Sequence, residues 1–171
     1  MRETDPQRSS QHLSLALQLL DRSREDLRRS IWNLRANPLD QGTFVEALQQ
    51  VAADRSVGIT PQISVVSEGQ PRPLEDFVAG NLILLAQEGI TNAIKHAAAK
   101  QIGLKLAYGE KAVSLTVWDD GRGFDPKNAA GLKEGHFGLQ GMRERIKRLA
   151  GTFEIRSLPG QGTSILATVP S

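Results

Sequence analysis

The beginning of the sequence carries apolar residues at coiled-coil spacing. From about Gln7 to Ala36 they recur in alternating steps of four and three residues, with Arg24 interrupting at one core position. The stripe consists of Leu13, Leu17, Leu20, Leu27, Ile31 and Leu34. This pattern predicts one long helix, which must bury its stripe against a partner helix, a second copy of itself or its own domain.

Beyond Asn37-Pro38, where this helix is predicted to end, helical and strand patterns alternate. Three helices are predicted over Phe44 to about Arg55 with Thr43 as N-cap, Leu74 to Ala98, and Phe137 to Ala150 with Gly151 as the stop. Strands are predicted over Ile59 to Ser67, Gln101 to Tyr108, Ala112 to Trp118, Thr152 to Ser157 and Thr163 to Val169. These elements predict an α/β (α+β) two-layer sandwich, in which a mixed β-sheet packs on three helices.

Composition narrows the class of protein. The 171 residues suit one domain with an appendage, and 39% hydrophobic residues are enough for a core. The longest apolar run, Leu82 to Ala86, is far shorter than the about 20 residues of a membrane-spanning helix, and the polar N-terminus is not a signal peptide. The absence of cysteine excludes disulfides, thiolate zinc sites and thiol nucleophiles. We therefore expect a cytoplasmic chain without membrane contact of its own, although a longer parent protein could be membrane-anchored.

Charge gives little support to a nucleic-acid partner. The net charge is only +2, and the basic residues near the C-terminus spread around a predicted helix as a solvated surface would. They are Arg143, Arg145, Lys147 and Arg148. We expect no nucleic-acid binding.

The predicted helix Leu74 to Ala98 has a polar face that could carry chemistry. At about 100° per residue, four polar side chains fall on one narrow face, opposite an apolar face suited to packing on the sheet. They are Glu88, Asn92, Lys95 and His96. An amide oxygen suits Mg²⁺, cationic side chains suit phosphate, and a carboxylate could position a nucleophile. A plain solvated helix face explains the same pattern about equally well.

Three glycine-containing segments are further candidates. Asp119 to Phe124 follows an apolar strand and could present a carboxylate to an exocyclic amine, within a longer predicted loop, Asp119 to Gly135. Gly135 to Met142 runs into a helix, so its backbone N–H groups could hold phosphate. Gly160 to Thr163 leads into the last strand, and Thr163 could offer its hydroxyl to a phosphate. Taken alone, the first and the last of these segments are better explained as plain turns, and the alternative for the middle one is a flexible hinge.

Together these segments resemble a known family. In order and spacing, QEGITNAIKHA, DDGRGFD, GHFGLQGMRERIKRLAG and GQGT are similar to the N, G1, G2 and G3 boxes of the superfamily of gyrase, chaperone, histidine kinase and mismatch-repair ATPases. The match is to the nitrate-sensor type of histidine kinase and covers roughly Leu74 to Pro170. The resemblance implies a Bergerat-type ATP-binding fold with an ATP lid between the G1 and G2 boxes.

The resemblance also implies roles for individual residues, beginning with the base and the metal. Asp119 would bind the adenine amino group, and Gly121 and Gly123 would shape the adenine pocket. Asn92 would hold Mg²⁺. Glu88 matches the N-box acid, which activates water in the ATPase relatives and would be catalytic here together with Asn92.

For the phosphates of ATP, the resemblance implies a second set of residues. Lys95 and His96 would contact the phosphates directly. Gly138 and Gly141 would offer backbone N–H groups, with Thr163 nearby. The G2 box adds Phe137 and Leu139 to the expected nucleotide-binding residues.

The N-terminal segment resembles part of the same type of kinase. SREDLRRSIWNLRANPLD is similar to the end of the dimerisation hairpin that precedes the ATP domain, which implies a hairpin remnant over residues 1–40 and an ATP-binding domain over 41–171. In that family the phosphate-accepting histidine lies in the earlier helix and is followed by an acid, whereas His12 is followed by Leu13. We therefore expect that this chain does not phosphorylate itself.

The expected activity is transfer of the ATP γ-phosphate to a histidine supplied elsewhere. A response regulator would be a partner of the full system, and the N-terminal helix could form a homodimer. Two alternatives stay open: a serine kinase or ATPase on the same fold, and a non-catalytic module in which ATP gates helix pairing.

Overall fold

Five strands and three α-helices build the part of the chain that the computed structural model describes, which is residues 42–56, 58, 60–126 and 137–171. The helices are α1 (Phe44–Ser56), α2 (Asp76–Asn92) and α3 (Phe137–Arg148). The strands are β1 (Gln62–Glu68), β2 (Gln101–Tyr108), β3 (Ala112–Asp119), β4 (Thr152–Ser157) and β5 (Thr163–Pro170). The predicted N-terminal helix and residues 127–136 of the predicted loop lie outside the described residues.

The strands form one mixed sheet in the order β1-β2-β3-β5-β4. β1 runs parallel to β2, and all the other neighbours are antiparallel. Alternate side chains of the central strands are buried on one face, as the period of two requires; they include Ile102, Leu104, Leu106, Val113, Leu115, Val117, Ile165, Ala167 and Val169. The predicted two-layer architecture of a mixed sheet with three helices is confirmed.

Helix α2 is the central element of the helical layer. A β-carbon at Gly89 would stand 2.7 Å from Cγ1 of Val117, so the glycine lets α2 lie close to β3. By length and composition alone the stretch Asp76–Ala97 could cross a membrane, but 56% of its most apolar window is buried within the domain. This stretch has the burial of a core helix.

Helix α1 begins as its sequence predicts. The backbone N–H of Glu46 donates to Oγ1 of Thr43 (3.3 Å), and the N–H of Thr43 donates to Oε2 of Glu46 (2.6 Å). This reciprocal pair is a capping box, which satisfies two backbone donors at the helix start. Thr43 is thus confirmed as the N-cap. At the other end, Arg55 donates to Oγ1 of Thr91 and links α1 to α2.

Two element boundaries differ from the sequence prediction near α2 and β1. β1 begins at Gln62 because Pro61, just before it, has no N–H to give to a sheet. The α-helical part of α2 ends at Asn92, and Ala93–Ala97 form a π-helical turn. Ala98 closes this turn in the left-handed conformation (φ 51°).

The end of α3 also differs in detail. The residue in the left-handed conformation is Ala150 (φ 53°), not Gly151. The N–H of Gly151 donates to the carbonyl of Ile146 (3.0 Å), and that of Ala150 donates to Lys147 (3.1 Å), which is a Schellman ending. A side chain at Gly151 would crowd the carbonyl of Thr168, so this glycine is required by packing against β5.

Candidate functional site

The polar face of α2 meets the first turn of α3. A β-carbon added at Gly138 would collide with Oε1 of Glu88 and would lie 3.7 Å from Nδ2 of Asn92. Both side chains are partly buried. The fold therefore brings Glu88 and Asn92 of the predicted helix against Gly138 of the predicted phosphate-binding segment, although 50 and 46 residues separate them in sequence.

Lys95 and His96 lie on the π-helical turn, and both are exposed. The 100° count behind the sequence prediction assumed a regular α-helix through this point. A π turn holds more residues than an α turn, so Lys95 and His96 take different angles from those of the count. π turns of this kind are frequent at functional sites. The phosphate contacts of the two residues stay a prediction.

The loop after β3 packs on the end of this turn. A β-carbon at Gly121 would collide with the carbonyl oxygen of Ala97, and the N–H of Arg122 donates to the same oxygen (2.8 Å). Oδ1 of Asp120 accepts hydrogen bonds from the N–H groups of Lys100 (2.7 Å) and Gln101 (2.9 Å). The bond from Gln101, followed by that from Lys100, holds the pKa of Asp120 below its usual range.

Asp119 is the partly buried carboxylate at the end of β3. Its Oδ1 accepts a hydrogen bond from the N–H of Gly121 (2.9 Å), and it pairs with Thr163 across β3 and β5. Burial raises the pKa of Asp119 above its usual range, and the charge of Asp120 adds to this. Hydrogen bonds from Gly121 and from the backbone and hydroxyl of Thr163 only partly offset the rise. The two adjacent aspartates therefore differ in pKa. Asp120 accepts two backbone hydrogen bonds that favour its charged form, whereas burial disfavours the charged form of Asp119.

The loop between β4 and β5 lies against this loop. Gly123 has φ +56°, and a β-carbon there would collide with the carbonyl of Leu158. Gly162 has φ +72°, and a β-carbon there would collide with the carbonyl of Asp119. Both positions need glycine for conformation and for space. The predicted segments Asp119 to Phe124 and Gly160 to Thr163 therefore pack together around Asp119.

The remaining predicted residues have simpler positions. Gly141 and Leu139 lie on the first turns of α3 and are partly buried. Apart from α3 itself, no atom in the part of the chain that the structure describes lies within 4 Å of a β-carbon built at Gly141. Phe137 is the first residue of α3, and its side chain is outside the described residues. Thr163 lies beside Asp119, at the base-binding end of the predicted site.

Ser157 is a residue of this site that the sequence analysis did not single out. It is buried, and its hydroxyl contacts three residues in the two segments around Asp119, which are Asp119 to Phe124 and Gly160 to Thr163. The signal was present in β4, where Phe153, Ile155 and Ser157 occupy the inward-facing positions. A hydroxyl at a position where the alternation calls for an apolar side chain must find buried partners.

The site offers oxygen ligands that fit a small hard cation. Glu88 and Asn92 contribute a carboxylate and an amide next to Gly138. Among the described residues there is no group of three or more His, Asp or Glu side chains arranged around a metal position. Mg²⁺ commonly takes one or two protein ligands together with phosphate oxygens and water, so this donor set is compatible with Mg²⁺ bound with a nucleotide.

Residues 78–171 match the family of histidine kinase-, DNA gyrase B- and HSP90-like ATPases. This match covers more than half of the chain, and the site described above lies within it. The chain belongs to this family of ATP-binding domains, and the resemblance noted in the sequence is confirmed.

Within the family, the relatives found are sensor histidine kinases. The chain is 32% identical over 147 residues to the histidine-protein kinase/phosphatase DegS of Brevibacillus brevis, with 85% of this chain and 37% of the relative covered. It is 34% identical over 176 residues to an uncharacterised sensor-like histidine kinase of Chloroflexus aurantiacus (98% and 29%). It is 28% identical over 163 residues to the nitrate/nitrite sensor NarX of Escherichia coli (95% and 27%). The chain thus spans 27 to 37% of the length of these relatives.

Solved structures agree on the fold. The histidine kinase domain of the Erythrobacter litoralis blue-light activated histidine kinase aligns with a TM-score of 0.58 at 23% identity, covering 74% of this chain and 58% of that one. At this identity the likeness shows a shared fold.

Proposed function

We propose that this chain is the ATP–Mg²⁺-binding catalytic part of a sensor histidine kinase, and that it transfers the γ-phosphate of ATP to a histidine. The observation that carries this proposal is the meeting of Glu88 and Asn92 with Gly138. Alignments to sensor histidine kinases over 95 to 98% of the chain support it, because they extend well beyond the ATPase family match. Its place of action is the cytoplasm, where ATP is available.

In this proposal one end of the site binds the adenine base and the other end binds the phosphates. Asp119 accepts a hydrogen bond from the adenine amino group, and the loop glycines Gly121 and Gly123 keep backbone close to the base. The first turn of α3 presents a free N–H group at Gly138, where the helix dipole favours phosphate, and Gly141, one turn further on, leaves room for phosphate to approach the helix. Phosphoryl transfer depends on positioning and on stabilisation of developing charge, so the protein need not form a covalent bond to the phosphate.

Asn92 would hold Mg²⁺, which would neutralise phosphate charge, and Glu88 would be the catalytic acid beside it. Lys95 and His96 are exposed near the turn that follows Asn92, and we assign them to the phosphate end of the site. Thr163 acts at the adenine end through its hydrogen bond to Asp119. We also propose residues 1–40 as a part of the dimerisation hairpin and residues 41–171 as the catalytic domain.

The phosphate acceptor in this proposal is a histidine that the chain does not supply. None of its three histidines, His12, His96 and His136, is followed by an acid. In the full system a response regulator would then take the phosphate from that histidine.

The first test is nucleotide binding by calorimetry with ATP and ADP, with and without Mg²⁺. Wild type is compared with Asp119→Asn and, as a matched control, with Asp120→Asn, which changes the adjacent carboxylate that holds the backbone of Lys100 and Gln101. We expect binding by the wild type and by Asp120→Asn, and loss of binding in Asp119→Asn. Absence of binding in the wild type at millimolar nucleotide would reject the proposal.

The second test is transfer of γ-labelled phosphate to a separately prepared hairpin that contains a His-Asp or His-Glu pair. We expect acid-labile label on the hairpin and none on this chain. Acid-stable label would indicate a serine kinase, and hydrolysis without transfer would indicate an ATPase. A melting shift with ATP but no turnover would indicate a gating module.

A further inference from the structure

The buried hydroxyl of Ser157 has three partners, which lie in two separate segments of the site. It accepts a hydrogen bond from the N–H of Phe124 (2.9 Å) and donates to the carbonyl of Gly162 (2.8 Å). It also lies 3.1 Å from Oγ1 of Thr163. Phe124 lies in the loop that follows Asp119, Gly162 lies in the loop that packs on it, and Thr163 is the first residue of β5. One side chain therefore links the loop after β3 to the segment that leads into β5, and these two segments flank Asp119.

The hydroxyl protons decide how this cluster is arranged. Ser157 and Thr163 have one proton each, and the acceptors are the carbonyl of Gly162, the carboxylate of Asp119 and the two hydroxyl oxygens. When Asp119 is ionised, the proton of Thr163 goes to the carboxylate. The oxygen of Thr163 is then free to accept from Ser157, whose proton the carbonyl of Gly162 shares.

This arrangement fixes the orientation of the carboxylate. Thr163 has three staggered rotamers, and its contacts with Ser157 and Asp119 select one. Thr163 is paired with Asp119 across β3 and β5, and its hydroxyl and its N–H favour the charged carboxylate. The N–H of Gly121 donates to Oδ1 of the same carboxylate. The remaining acceptor capacity of Asp119 points in one defined direction, and a hydrogen bond to an amino group depends steeply on direction.

We propose that Ser157 is a positioning residue for base recognition: it holds Thr163 and the Phe124 backbone so that Asp119 distinguishes a 6-amino purine from a 6-oxo purine. This inference rests on the proposed function, because it needs Asp119 to bind the base. Ser157 does not contact the base itself in this arrangement and acts through Thr163.

The test compares the affinities of ATP and inosine triphosphate, in which an oxygen replaces the 6-amino group. Both are titrated with Mg²⁺ into the full chain by calorimetry. A charge-assisted hydrogen bond predicts that the wild type prefers ATP by on the order of ten- to hundredfold. We expect Asp119→Asn to abolish this preference, and Ser157→Ala to reduce the ATP-to-inosine ratio by about two- to tenfold.

Two further variants separate positioning from a general loss of stability. Ser157→Cys fills nearly the same space with a weak donor and should reduce the ratio in the same direction, which also covers the case that Ser157→Ala fails to fold. Ser164→Ala removes a hydroxyl from the neighbouring β5 residue, which lies on the opposite face of the sheet, and should leave the ratio unchanged. In an Asp119→Asn background, Ser157→Ala should have no further effect on the ratio.

The outcomes are distinguishable from failure of the proposed function. A wild type that prefers ATP, together with Ser157 variants that weaken both nucleotides equally, would leave the function standing and overturn the positioning role. An unchanged ratio and unchanged affinities would overturn it as well. A wild type without preference for ATP would reject base recognition by Asp119 and this inference with it.

Discussion

The carboxylate of Glu88 occupies the space in which a β-carbon at Gly138 would lie. The atom that would be hit is the far end of a flexible side chain, so Gly138→Ala should move Glu88 without unfolding the protein. Alanine is also the better helix former, by up to about 1 kcal/mol. We therefore expect thermal stability at or slightly above that of the wild type, and phosphate transfer to an added histidine hairpin reduced roughly 10- to 100-fold.

A double variant shows whether Glu88 is the route of this effect. Glu88→Gln alone should reduce transfer, and adding Gly138→Ala should cost little more, because both changes act on the same group. Independent, additive losses would mean that Gly138 matters for a different reason, such as its own backbone contact with phosphate.

Gly141 lies one turn further along α3, and replacing it should affect protein stability and ATP binding in opposite ways. Apart from α3 itself, no atom of the described residues lies within 4 Å of a β-carbon built there, so packing among these residues does not require a glycine. Gly141→Ala should raise the free energy of unfolding by about 0.5–1 kcal/mol, as measured by urea denaturation. In the proposed function, nucleotide phosphates approach this backbone, so the same variant should bind ATP more weakly. Stabilisation with unchanged ATP affinity would remove Gly141 from the site.

The sequence predicted the elements of this fold well, because each is encoded locally. The alternation of β2 and β3 and the cap at Thr43 could be recognised from neighbouring residues alone. The π-helical turn Ala93–Ala97 could not, since nothing in AIKHA departs from ordinary helix-forming residues. Its location depends on the loop that packs against the carbonyl of Ala97.

In the candidate site, too, some residues could be recognised from local sequence and others only from the packed structure. Asp119 and Glu88 could be singled out because polar residues interrupt patterns of apolar ones. Ser157 was missed because its partners, Phe124 and Thr163, come together only when two loops pack. The distinction between Asp119 and Asp120 likewise needed the backbone donors at the start of β2, which no local pattern reveals.

The adjacent aspartates should have opposite effects on the pH dependence of stability. Burial raises the pKa of Asp119, so the folded state holds its proton more tightly than the unfolded state. The contribution of Asp119 to the stability of the wild type is therefore lost as pH rises above the unfolded value of about 4 towards the folded pKa. Relative to wild type, Asp119→Asn should gain stability over this rise, as measured by urea denaturation in steps between about pH 3 and pH 7.

For Asp120 the sign is reversed. Hydrogen bonds from Gln101 and Lys100 lower its pKa, so its contribution is complete above about pH 4 and is lost as pH falls through the lower folded value. Relative to wild type, Asp120→Asn should lose stability as pH rises through the region below about 4. Parallel pH profiles for the two variants would contradict the different environments described for the two carboxylates.

The left-handed residue after α3 gives a last prediction, on stability alone. Ala150 is exposed with φ 53°, a conformation that costs a residue with a β-carbon about 1 kcal/mol or more. Ala150→Gly removes this strain but also gives the unfolded chain more freedom, which offsets about 0.4–1 kcal/mol. We expect a net gain of up to about 1 kcal/mol, or about 2–4 °C in the melting temperature. The matched control is Ala53→Gly, at an exposed α-helical position in α1, which should instead lose about 0.5–1 kcal/mol. If both variants lost stability equally, the strain at Ala150 would be disproved, because only a residue in the left-handed region gains from becoming glycine.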